Sequence, residues 1–162
     1  GHTQMTATRE MHYVGVERWR RAGLSYRASH GRNYFADLVK VHRTLGLTLN
    51  WDGTDVLAHL TPVKEKEILL IASTLNDSFK RALYRALRHL VDHLGVRSFN
   101  VALYMPPLAP VPEEWIDFPY IFRVVDRGDP LNRTADVGGM ELYAQSVVAS
   151  DPFRLIASLA SG

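Results

Sequence analysis

Residues 47–62 read LTLNWDGTDVLAHLTP, and their apolar and polar side chains alternate on either side of Asp52-Gly53. Asp-Gly supplies the positive φ angles of a two-residue hairpin turn, whose twist matches that of the strands it joins. The pattern therefore predicts two antiparallel strands in direct succession. Residues 68–72, ILLIA, form a short unbroken apolar run, the pattern of a buried strand with both faces covered.

Helices are marked by a different period. In GRNYFADLVKVHRTLG, residues 31–46, Phe35, Leu38, Val39, His42 and Leu45 recur every three to four positions, with Asn33 as N-cap and Gly46 as stop. Between Asn76 and Gly95, Phe79, Leu83, Leu87, Leu90 and Leu94 make one apolar stripe, with Arg81, Arg85, Arg88 and Asp92 expected to face solvent. SFNVALYM, residues 98–105, and PYIFRVVDR, residues 119–127, read as further strands, separated by the proline-rich PPLAPVPEEW. Two helices close the chain, one from Asp136 and one from Ser150 or Asp151 with Pro152 in its first turn. The order α-β-β-β-α-β-β-α-α predicts an α+β domain, an antiparallel sheet with helices on one face. Residues 1–30, with Trp19 among Arg18, Arg20, Arg21 and Arg27, read as an N-terminal arm holding a short helix.

At 162 residues the chain is long enough to bury a core as one domain. It has no cysteine, which excludes disulfides, thiolate metal sites and a cysteine nucleophile and fits a cytoplasmic protein. No apolar run approaches the roughly 20 residues of a membrane span, so no membrane partner is expected. The net charge of +2 comes from dispersed basic residues, so nucleic acid is not an expected partner either. The opening Gly1-His2-Thr3-Gln4-Met5 reads either as a tag remnant or as the cut edge of a longer chain.

Seven histidines raise the question of metal or nucleophilic chemistry. His89-Leu-Val-Asp-His93 has the spacing of a helix-borne zinc pair, but Leu90 stands where a catalytic glutamate would be needed. Both imidazoles are expected on the flank of the apolar stripe, away from a pocket, in structural or solvent-facing roles. His42 and His59 read as core or rim residues. No His-x-His, Gly-x-Ser-x-Gly or phosphate-loop lysine motif occurs. The carboxylates Glu113, Glu114, Asp126 and Asp129 read as solvated loop charges, and neither a catalytic residue, a metal ligand nor a cofactor is assigned.

The segment RTADVGGMELYAQSVV, residues 133–148, places two glycines at the start of an amphipathic helix, where each costs roughly 1 kcal/mol relative to alanine in a helix interior. With Asp136 as cap, the free N–H groups of Val137, Gly138 and Gly139 attract anions, and the missing Cβ atoms admit a phosphate or sugar close to the backbone. Glu141 can accept hydrogen bonds from sugar hydroxyls. A tight crossing of helix and strand explains the glycines equally well.

Together, GRNYFADL, SFNVALYMPP and ADVGGMELYA resemble the C-terminal half of galactose-1-phosphate uridylyltransferase-like proteins, over residues 31–159. That resemblance implies a histidine-triad-like fold for residues 31–162, each half of such an enzyme being an antiparallel sheet with helices. It also implies contact of Gly138, Gly139 and Glu141 with a nucleotide sugar or sugar phosphate, and places Asn100 at an asparagine position of the family's pocket strand. The family's nucleophile lies in a His-Pro-His motif of the other half, which this sequence lacks. Some relatives use a His-x-His on the strand matching Ile121 to Val125 to bind metal, where this chain has Arg123 and Val125. The resemblance thus implies a non-catalytic half that contributes sugar binding and an interface to a catalytic N-terminal half or a second subunit. The alternative is a stand-alone, catalytically inactive binding or scaffold module.

Overall fold

In the computed structural model, which describes residues 12–129, 131 and 150–161, the elements follow in the order α1 (Val14–His30), α2 (Tyr34–Thr44), β1 (Thr48–Trp51), β2 (Thr54–Ala58), β3 (Ile68–Ala72), α3 (Asp77–Asp92), β4 (Phe99–Tyr104), β5 (Tyr120–Asp126) and α4 (Pro152–Ser161). The helix expected from Asp136 lies outside the described residues. Asp52 and Gly53 have φ of 49° and 86°, and Trp51 pairs with Thr54 across the turn. The hairpin is the one the dipeptide predicts.

Five strands form one antiparallel sheet in the order β1-β2-β3-β5-β4. The fold is thus α+β, as the sequence predicts, but helices cover both faces rather than one. Val56, Ala58, Ile68, Leu70, Phe122 and Val124 pack against Phe79, Ala82, Ala86 and Leu90 of α3 and Leu155, Ile156 and Leu159 of α4. Leu57, Leu69, Ile71 and Ile121 project the other way, beneath Phe35 and Val39 of α2, with Val16 and Trp19 of α1 at the margin. The reason lies in β3, which is apolar at every position: successive side chains alternate between faces, so an ILLI run demands cover on both.

The expected short helix of the N-terminal arm is a 17-residue helix, and it docks. Two glycines permit the approach. A Cβ on Gly23 would lie 3.2 Å from the Phe35 ring, and one on Gly15 would lie 2.9 Å from the Tyr104 hydroxyl. Arg20 donates to the Glu114 carbonyl at 3.0 Å, and Arg27 pairs with Asp117, tying α1 to the proline-rich connection. Gly31, at φ 66°, ends the helix and turns the chain into α2. Asn33 caps α2, accepting from the N–H groups of Phe35 and Ala36.

On α3, Asn76 accepts from Phe79 N–H at 2.9 Å and Gly95, at φ 65°, is the stop. The buried stripe is Phe79, Ala82, Ala86, His89 and Leu90, rotated from the predicted one so that two alanines face the sheet and Leu83 and Leu87 sit at its margin. Alanine at the closest contacts lets helix and sheet approach. Among the described residues no helix is long and apolar enough to cross a membrane.

Candidate functional site

Four chemistry-bearing side chains meet on the sheet face beneath α1 and α2. Glu67, immediately before β3, is fully buried, and its Oε1 accepts from Arg123 Nε of β5 at 2.6 Å. Its Oε2 accepts from Val63 N–H at 2.6 Å. His59 Nδ1 lies 3.2 Å from Oε1 without the alignment of a hydrogen bond, which leaves that buried nitrogen without a good partner. The Arg123 guanidinium lies 5.8 Å from the centre of the Trp19 ring, so α1 closes the cluster from above.

Burial pushes the Glu67 carboxyl up, but His59 and Arg123 outweigh it and hold the group below the usual carboxylate range. Burial likewise favours loss of the Arg123 proton, and Glu67 reverses that preference. The pair is therefore ionised on both sides. His42, stacked 5.7 Å from His59, lies 2.8 Å from the Leu38 carbonyl through Nδ1 and accepts the Leu60 N–H at Nε2, 3.1 Å away. Only the neutral Nδ1–H tautomer satisfies both contacts. Burial is the main cause that lowers its pKa, opposed by the Leu38 carbonyl and aided by His59.

With Glu67, Arg123 and His42 engaged internally, this cluster holds the connection before β3, β5 and α1 in register. The charge of Arg123 is neutralised by Glu67. Among the described residues no three His, Asp or Glu side chains gather as a ligand set. Asp126, expected in solvent, is buried instead, paired with Lys66 and accepting from Gly128 N–H at 2.8 Å.

Asn100, the one predicted site residue within the described part, sits on β4 opposite Val125. Strand alternation puts it on the same face as Arg123, beyond the cover of the helices, and it is exposed. Gly138, Gly139 and Glu141 lie outside the described residues. On the other face of β4, Phe99, Val101 and Leu103 are 39, 37 and 36% exposed. Among the described residues β4 is an edge strand, with no second strand paired to its outer side and an apolar strip beside it.

His89 and His93 depart from expectation. Rather than standing away from a pocket, they line a cleft with Trp51, Arg85 and Leu159. Their rings stack at 4.9 Å, and His89 Nε2 lies 2.7 Å from Ser158 Oγ of α4. The sequence showed the i,i+4 pair but not the β1 and α4 walls, which come from distant parts of the chain. Glu67 with Arg123 was also missed, although a lone arginine inside YIFRVVD signals a buried partner.

No protein-family profile and no curated protein sequence matches the chain. Among solved structures, a uridylyltransferase matches with a TM-score of 0.69 and 17% identity, and a uridylyltransferase mutant with 0.67 and 16%. Each match covers 91% of this chain and 50% of the other, so the chain spans about half the length of these structures. The fold is that of a uridylyltransferase half.

Proposed function

We propose that this chain is the non-catalytic half of a uridylyltransferase-like nucleotidyltransferase, supplying the sugar side of a nucleotide-sugar pocket and an interface to the half that bears the nucleophile. The observation that carries the reading is the fold correspondence over 91% of this chain and half of the matched structures. The sequence lacks the His-Pro-His on which covalent nucleotidyl transfer depends, so in this reading the attacking imidazole comes from elsewhere. The edge of β4, unpaired among the described residues, supports it further: such edges invite a second strand, and Phe99, Val101 and Leu103 offer apolar surface beside it. In this reading Asn100 and Glu141 hold sugar or phosphate oxygens, while Gly138 and Gly139 admit the ligand to the backbone.

Calorimetric titration with UDP-glucose, with UDP, ADP and glucose 1-phosphate for comparison, tests the proposal. Saturable binding that Glu141→Ala weakens is the expected result. Absence of heat with every ligand would remove the sugar-binding part and leave the alternative of an inactive scaffold module.

A further inference from the structure

The cleft at the far side of the sheet has a built character of its own. It occupies about 360 Å³, within the range of small-molecule sites. Its floor consists of Trp51 from β1, His89 from α3 and Leu159 from α4, which are 9, 5 and 1% exposed. Exposed side chains of α3 form the rim: Tyr84, Arg85, Arg88, Asp92 and His93. An apolar floor under a polar rim accommodates a ligand with one flat apolar part and one charged end.

Charge at the rim is unbalanced. Asp92, the only carboxylate lining the cleft among the described residues, is taken by Arg88, whose Nε and Nη2 lie 2.9 and 2.8 Å from Oδ2. The Arg85 guanidinium instead lies 4.3 Å from the centre of the Trp51 ring and forms no ion pair among the described residues. Stacking fixes a planar cation in place while its N–H edge remains free to bind an oxyanion in a fork. One helical turn separates Arg85 from His89, and another separates His89 from His93. The stacked imidazoles thus line the cleft beyond Arg85, where a bound ligand alters their surroundings. A phosphate, with close to two negative charges and three acceptor oxygens, balances the neighbouring guanidiniums of Arg85 and Arg88 better than a carboxylate does.

We propose that this cleft binds a small aromatic phosphate monoester, with the ring packed on Leu159 beside Trp51 and the phosphate against the free edge of Arg85. The site lies on the α3/α4 face, opposite the face that carries Asn100 and Arg123. It uses none of the residues of the nucleotide-sugar reading.

The test is a proton–carbon NMR titration of the histidine rings with phenyl phosphate, inorganic phosphate and benzoate. Phenyl phosphate is expected to shift the His89 and His93 signals saturably, Arg85→Gln to weaken binding about tenfold, and Asp92→Asn, which frees Arg88, to tighten it. Because Arg85 is exposed and the second variant gains affinity, lost folding cannot mimic this pair of results. No saturable shift, or equal affinity in Arg85→Gln, overturns the proposal. Benzoate binding as tightly as phenyl phosphate overturns the assignment of phosphate, and inorganic phosphate doing so overturns that of the aromatic ring.

Discussion

Glu67 and Arg123, 56 residues apart in sequence, meet at 2.6 Å inside the protein, and the register of β3 against β5 sets that distance by pairing Leu69 with Arg123. Removing one member leaves the other charged and buried, a loss of about 3–5 kcal/mol. Glu67→Ala should therefore unfold at much lower urea concentration than the parent. Joint replacement by Glu67→Gln and Arg123→Met should recover most of the loss. A double variant no more stable than the single one would mean the pair does more than neutralise itself.

Acid should weaken the fold through the histidines before it reaches the carboxylates. His42 and His89 both have folded-state pKa values below the ordinary 6.5, in each case chiefly through burial. The native state therefore binds fewer protons than the unfolded one, and the stability this confers is present above pH 6.5 and is lost as pH falls through the lowered values. His42→Asn keeps a donor for Leu38 but abandons Leu60 N–H, costing about 1–3 kcal/mol at neutral pH. Thermal melts from pH 7 to pH 5 should show a shallower decline in that variant. An unchanged slope would remove His42 from the account.

A Cβ on Gly23 would lie 3.2 Å from the Phe35 ring, which is only 4% exposed. Alanine gains helix propensity there yet presses on the ring, and valine presses harder. Gly23→Val should destabilise by about 1–3 kcal/mol, measured by chemical denaturation, with Phe35→Leu partly restoring the loss.

The apolar strip on β4 should be a point of association. Val101→Lys places a charge on the edge strand, the device by which natural sheets discourage pairing. If β4 forms the proposed interface, sedimentation velocity in the presence of the half that bears the nucleophile should show a complex with the parent and less of it with the variant, at equal melting temperatures. Equal sedimentation of both would place the interface elsewhere.

Much of this architecture was legible because local signals and tertiary demands agree. Asp52-Gly53, Asn33, Asn76, Gly46 and Gly95 each mark a turn, cap or stop that the structure uses. The two-sided cover of the sheet was implicit in ILLIA, yet α1 was read too short because Gly23 looks like an interruption until Phe35 is placed beside it. The cleft and the buried cluster were illegible for another reason. Trp51, His89 and Leu159, like His42, Glu67 and Arg123, become neighbours only through strand order and helix docking, which no short window encodes.

Strand order also fixes when the protein can be completed. β5 inserts between β3 and β4, so β4 has no hydrogen-bonded neighbour in the sheet until residues 120–126 have left the ribosome. A nascent chain halted before Tyr120 holds a β1-β2-β3 meander with one raw flank and, separately, the apolar segment FNVALY. Such unpaired segments are the sticky species of translation, and this topology keeps one exposed across the whole proline-rich connection.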